Sequence, residues 1–152
     1  MSNYLIIIYG TFNNLNLFSR PDYMSKNYKK IRERCRKGIP SAVRPKAWFF
    51  LSGGKNLYDA HPKRYEELLR QEGNPQIIDE IKRDQHRQFP HHEMFLDEDR
   101  PGQKELFNLL KAYSILNPKV GYCQAQAPIA AFLLMHMPSE QAFWAFVSIC
   151  DK

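Results

Sequence analysis

The stretch Ile81-Lys-Arg-Asp-Gln-His-Arg-Gln-Phe-Pro90, IKRDQHRQFP, carries both a helix and a polar oddity. Ile77, Ile78 and Ile81 recur like the buried stripe of a helix, and the same three- and four-residue steps lead on to Asp84 and Gln88, with Arg87 on the flank. A carboxylate on an inner face has to be hydrogen-bonded or ion-paired. By periodicity alone, Asp84 and Arg87 form an ordinary i,i+3 pair in a last turn where His86 and Arg87 complement the helix dipole. A second reading gives the pair a purpose, because an arginine held by a carboxylate is oriented in advance, as a guanidinium aimed at phosphate needs to be. The helix is expected to stop at Phe89-Pro90, since a residue before proline disfavours the α region.

Working outward, the helical texture begins at about Pro21. Met24, Tyr28, Ile31 and Cys35 mark an inner stripe, and Gly38 stands where a C′ glycine belongs. Ser41 is the expected N-cap of a helix over Ala42–Leu51, with Pro45 in its first turn and Gly53-Gly54 ending it. Pro62 opens the next helix, with Tyr65, Leu68 and Leu69 inward, and Asn74-Pro75 starts the one that holds the opening stretch. Residues 91–102 read as a charged loop. Leu106, Leu109, Leu110 and Tyr113 mark a helix ending before Asn117-Pro118. From Gly121 to Met137 the chain is apolar almost all round, a central buried helix with Pro128 as a kink or late first turn. Ser139 is expected to cap a last helix containing Phe143, Trp144, Phe146 and Val147, which either packs back on earlier helices or lacks its cover. The sum is an all-α fold of roughly seven helices over residues 21–152, preceded by an Asn-rich, nearly uncharged arm, residues 1–20, whose run Leu5–Tyr9 reads as a short strand.

A hydrophobic content of 43% in 152 residues supports one domain with a real core and excludes wholesale disorder. The net charge of +6 is concentrated, since residues 20–46 hold ten Lys/Arg against two acidic residues. Such a segment fits phosphates, an anionic membrane or an acidic protein. Cys35, Cys123 and Cys150 form no CxxC pair and read as free thiols in a reducing compartment. The longest apolar stretch, near Ala127–Met137, is too short to span a bilayer, and the Leu5–Ile8 run lacks the features of a signal peptide. These features point to a soluble intracellular chain.

Two further constellations stand out. In Val120-Gly-Tyr-Cys-Gln124, Gly121 lets backbone come close to a partner and Gln124 brings a donor and an acceptor to a helix start. In Ile39-Pro40…Arg44…Trp48, Arg44 and Trp48 share a helix face and can stack, a packing element by preference. His91-His92-Glu93 with His86 nearby lacks HExxH spacing, and adjacent histidines cannot share a helix face, so no metal site is expected. GxGxxG, GxxxxGK[ST] and GxSxG are all absent, which argues against a nucleotide site in the chain itself or a serine hydrolase.

Taken together, the three blocks resemble the TBC domain of Rab GTPase-activating proteins, in order and spacing, over roughly residues 28–152. The blocks are IPxxxRxxxW (Ile39-Pro40…Arg44…Trp48), IxxDxxR (Ile81…Asp84…Arg87) and YxQ (Tyr122-Cys123-Gln124), and RCRKGIP and GYCQAQAPIAAFLLMHMP are similar to one subgroup related to microvillar, scaffold-binding members. The resemblance implies the N-terminal helical lobe of a TBC domain, with a C-terminal lobe still to follow, so that residues 1–152 alone would be marginally stable and weakly active or inactive. It implies a GTPase activator rather than an enzyme with its own nucleotide site. Arg87 would be an arginine finger and Gln124 a glutamine finger, supported by Asp84, Tyr122 and Gly121, with Ile39, Pro40, Arg44 and Trp48 as scaffold. The partner would be a Rab-family GTPase carrying GTP and Mg²⁺, so that no cofactor is expected of this chain. The implied setting is vesicle trafficking in the cytoplasm, with peripheral contact to an intracellular or plasma membrane. The alternative from charge alone is a non-catalytic module whose basic helix 26–37 docks an acidic protein or anionic membrane. Nucleic acid is not expected, because interleaved aromatics and a helix-turn-helix signature are missing. Oligomeric state is not legible.

Overall fold

The computed structural model describes residues 18, 20–97 and 100–151. The expected arm 1–20 and its strand at Leu5–Tyr9 lie outside the described residues, apart from Phe18 and Arg20. Among the described residues the regular structure is eight helices: α1 (Pro21–Arg36), α2 (Arg44–Ser52), α3 (Gly54–Ala60), α4 (Arg64–Leu69), α5 (Pro75–Gln85), α6 (Pro101–Leu116), α7 (Gln126–Leu134) and α8 (Ser139–Cys150). The all-α expectation holds.

The helix beyond the expected seven is α3. Gly53-Gly54 does not end a helix and lead into a loop; it hinges α2 directly into α3. Gly53, at φ +92°, closes α2 by donating its N–H to the Phe50 carbonyl, and the next N–H reaches Ser52 Oγ at 3.1 Å. Gly54 is buried, and a Cβ there would lie 2.7 Å from both Cα and N of Ala145. The hinge therefore lets α3 lie backbone to backbone against α8. Ser148 Oγ seals the same corner from α8, donating to the Ser52 carbonyl at 2.6 Å.

Helix α8 is the hub. It packs on α2, α3, α6 and α7, while α6 packs on α4, α5 and α7. Phe143, Trp144, Phe146 and Val147 are all buried, so the last helix packs back on earlier ones. Leu106, Leu109, Leu110 and Tyr113 of α6 are fully buried as expected, and Tyr113 meets Phe146 edge-on at 5.1 Å. At roughly 1.5–3 kcal/mol for each large apolar side chain taken from water, the core to which α6 and α8 contribute these side chains is a large source of stability. A smaller cluster joins α1 to α2 through Phe18, Ile31 and Ala47.

Several local expectations change. Ser41 is not an N-cap: α2 starts at Arg44 behind Val43, and Ser41 contributes its carbonyl to the Arg44 N–H at 3.3 Å. Likewise Ser139 is the first residue of α8, behind Pro138, and supplies no side-chain cap. The helix expected from Pro62 begins at Arg64 because Lys63 turns through φ +65°. Asn74 does cap α5, its Oδ1 accepting from Gln76 N at 2.9 Å. Tyr28, expected on the inner stripe of α1, is 57% exposed. The apolar run after Gly121 forms only α7, with Pro128 in its first turn; Ile129 and Phe132 face outward, so the helix is not buried all round.

Gly54→Ala should therefore lower the melting temperature by roughly 2–12 °C, from an overpacking cost of about 1–3 kcal/mol. A calorimetric or circular-dichroism melt checks this, and an unchanged midpoint would mean that α3 does not lie against α8.

Candidate functional site

Helix α5 ends at Gln85, sooner than Pro90 would require. The Arg87 N–H bonds the Asp84 carbonyl at 3.1 Å and the Gln88 N–H bonds the Gln85 carbonyl at 3.1 Å, tightening the exit into successive turns. Phe89, at φ +47°, then swings the chain away. Arg87 thus stands on a turn just past the helix end, with its side chain 61% exposed.

Asp84 is buried at the end of the isoleucine stripe, beyond the fully buried Ile81. Its two oxygens are divided between two partners. Oδ1 accepts from Arg87 Nη2, and Oδ2 accepts from the Tyr122 hydroxyl at 2.9 Å. Gln88 Nε2 adds a bond to the Asp84 carbonyl at 3.1 Å. A buried carboxylate with both oxygens satisfied meets the requirement that the sequence raised. Burial raises the Tyr122 phenol well above its ordinary value, as do the hydrogen bond to Asp84 and that residue's charge, while the Arg87 charge works the other way.

Tyr122 arrives on the connection between α6 and α7. Asn117 anchors that segment: its carbonyl accepts from Val120 N and Gly121 N, and its Nδ2 donates to Asp151 Oδ1 at 3.3 Å. Gly121 is buried at φ +63°, and a Cβ there would meet Ile77 Cδ1 at 3.2 Å. Only glycine takes that turn without strain while the loop lies on the α5 stripe. Gln126 Oε1 then accepts from Cys123 N at 3.4 Å at the entrance to α7, leaving Gln124 exposed at the turn.

The result is one cleft. Glu80, Arg83, Asp84, Arg87, Tyr122 and Gln124 line a cavity of about 280 Å³. Arg87, Gln88, Gln124, Ala125 and Pro128 line its neighbour of about 630 Å³. Arg87 and Gln124 belong to both walls. Gln88 is the next step of the stripe beyond Asp84, whereas Glu80 and Arg83 carry no signal of their own in the sequence, although they lie one turn before Asp84 and Arg87.

The Ile39-Pro40…Arg44…Trp48 block sits apart from both cavities. Arg44 Nε donates to the Ile39 carbonyl at 3.1 Å, and its guanidinium lies 5.9 Å from the Trp48 ring centre. Trp48 packs on Phe132 at 5.4 Å and edge-on to His136 at 4.9 Å, so α2 buttresses the helix that follows Gln124. Burial lowers the His136 pKa, helped by the charges of Arg44 and His92. His92 serves the loop: its Nδ1 accepts from Met94 N at 3.2 Å and its ring packs on Phe95.

Residues 41–152 match the family model of the Rab-GTPase-TBC domain, and the chain belongs to that family. TBC1 domain family member whacked of Drosophila melanogaster is 73% identical over 129 residues, which cover 85% of this chain and 36% of that protein. Human TBC1 domain family member 10B is 55% identical over 139 residues, covering 91% of this chain and 17% of that one. The chain therefore spans well under half the length of these relatives. Among solved structures, the Chlamydomonas flagellar RabGAP TBC domain superposes with a TM-score of 0.73 at 25% identity, over 98% of this chain and 55% of that one.

Tyr122→Phe should cost about 1.5–3 kcal/mol in denaturant unfolding, because it leaves Asp84 Oδ2 without its donor. The pH dependence separates this bond from packing. The folded state holds the Tyr122 proton more tightly than the unfolded chain does, so its contribution is complete below about pH 10 and is lost as pH rises beyond. Tyr65 and Tyr113, the latter pushed up to about 12, are shifted the same way and remain in the variant. The alkaline fall in stability should become shallower in Tyr122→Phe but not vanish.

Proposed function

We propose that the chain carries the catalytic cleft of a Rab GTPase-activating protein, with Arg87 and Gln124 as fingers inserted in trans. The observation that carries this reading is that Arg87 and Gln124, 37 positions apart in sequence, line both halves of one cleft. Family membership supports it.

Phosphoryl transfer from GTP to water is a matter of positioning and charge stabilisation. Arg87 has five N–H groups, and its bond to Asp84 uses one end of the guanidinium. The remaining donors are available to β- and γ-phosphate oxygens, while Asp84 fixes the plane of the group. Because Tyr122 holds the same carboxylate, the arginine is tied through Asp84 to the segment that bears Gln124. Gln124 offers a donor and an acceptor, the pair needed to orient an attacking water. The partner GTPase supplies GTP and Mg²⁺ in this mechanism. Asp84, Tyr122 and Gly121 act as positioning residues.

An arginine supplied in trans contributes ~10³–10⁵ in rate. Single-turnover GTP hydrolysis on a panel of Rab proteins tests the assignment, using the chain alone and a chimera in which residues 41–152 replace the matching segment of the human 10B relative. In the accelerating protein, Arg87→Ala should lower the rate about 10³-fold or more, and Gln124→Ala about 10²–10³-fold. Rab binding should survive both changes. Unchanged rates in both variants would refute the finger assignment.

A further inference from the structure

Helix α1 is not used by the cleft. Its inner stripe is occupied, since Ile31 is buried against Ala47 and Phe18, with Met24 and Cys35 partly buried beside them. At the helical repeat, Arg32, Arg36, Lys29, Lys26 and Lys30 fan over roughly 160° of the face opposite Ile31. All five are exposed. Asp22 and Glu33 lie within the same fan, yet among the described residues none of the five cations enters an ion pair. The outward face therefore keeps a clear positive excess.

We propose that this face of α1 docks the protein peripherally on an anionic lipid surface. Three observations favour a bilayer over a protein or a nucleic acid. The cations fan broadly around an exposed helix face, and neither cavity of the cleft has a residue of α1 in its wall, so recognition there is by charge. Tyr28, 57% exposed, lies one turn before Arg32 at the edge of the fan, where an amphipathic ring suits the headgroup layer. The apolar stripe is committed to α2, so the helix can lie on a surface without inserting. Among the described residues no helix is long and apolar enough to cross a membrane. Each Lys or Arg near an anionic leaflet strengthens binding by about fivefold, an effect screened by salt.

The test is co-sedimentation of the full 152-residue chain with vesicles of phosphatidylcholine, alone or with about one-third phosphatidylserine. Binding is expected only to the anionic vesicles and should be lost at roughly 0.5 M salt. Lys29→Glu/Arg32→Glu/Arg36→Glu should weaken it by about tenfold or more. A control with the same change in net charge, Arg70→Glu/Lys104→Glu/Lys119→Glu, should keep it. Both variants change exposed side chains, and matching thermal melts establish that they fold; Lys26→Gln/Lys29→Gln/Arg36→Gln provides a milder second set. Equal loss in the control, full binding by the α1 variants, or absence of binding to anionic vesicles at low salt would overturn the proposal. So would equally tight capture of polyglutamate or duplex DNA through the same residues.

Discussion

The carboxylate of Asp84 is the constraint on which the rest of the cleft depends. Its oxygens are shared between Arg87, just past the end of α5, and Tyr122, on the segment between α6 and α7. Apolar contact between the two segments is non-directional and cannot by itself fix how a guanidinium points. Asp84 is buried because its partners are there to receive it. The stripe of α5 turns from isoleucine to aspartate at the level where the neighbouring segment turns from Gly121 to Tyr122. Apolar packing at Ile77 and the hydrogen bond at Asp84 thus set the same register twice, about two turns of helix apart.

That register is held from behind by the core. Helix α6 packs on α5, α7 and α8, so the two sides of the cleft are fixed to a common support. Asp151, just past α8, accepts from both Tyr113 and Asn117 and pins the start of the connecting segment. From the other side, Trp48 presses on Phe132 and His136 at the far end of α7. The three sequence blocks therefore divide their labour. One buttresses a helix, one ends a helix in a buried acid and an exposed base, and one brings a tyrosine to that acid.

How much of this was legible follows from the kind of signal each feature leaves. Periodicity found the stripes of α5 and α6, since burial on one face repeats in sequence. It placed Asp84 on an inner face but could not supply Tyr122, 38 positions away, as its partner. Glycine was ambiguous. Gly53-Gly54 reads as a terminator, and only the tertiary contact with Ala145 makes it a hinge into a new helix. Serine misled at residues 41 and 139, because a hydroxyl at a plausible position caps only when the backbone before the helix is aimed correctly. Tyr28 failed for a related reason: a tyrosine at helical spacing fits either face, and the cluster under α1 has no place for its ring. Glu80 and Arg83 were visible one turn before Asp84 and Arg87, but charged residues on a helix are common, so only the cavity distinguishes them.

The distribution of charge separates two surfaces that the composition merges. The cleft wall holds Glu80 and Asp84 against Arg83 and Arg87, so its acidic and basic groups are evenly matched. A balanced site does little to attract an anion from a distance; what it offers at contact is the direction of its donors. The positive excess lies instead on the outer face of α1, where long side chains meet solvent and geometry is loose. Loose charge suits capture over nanometres, and oriented charge suits chemistry over ångströms. Separating the two keeps the cations of α1 from competing with Arg87 for Asp84, whose two oxygens are already taken.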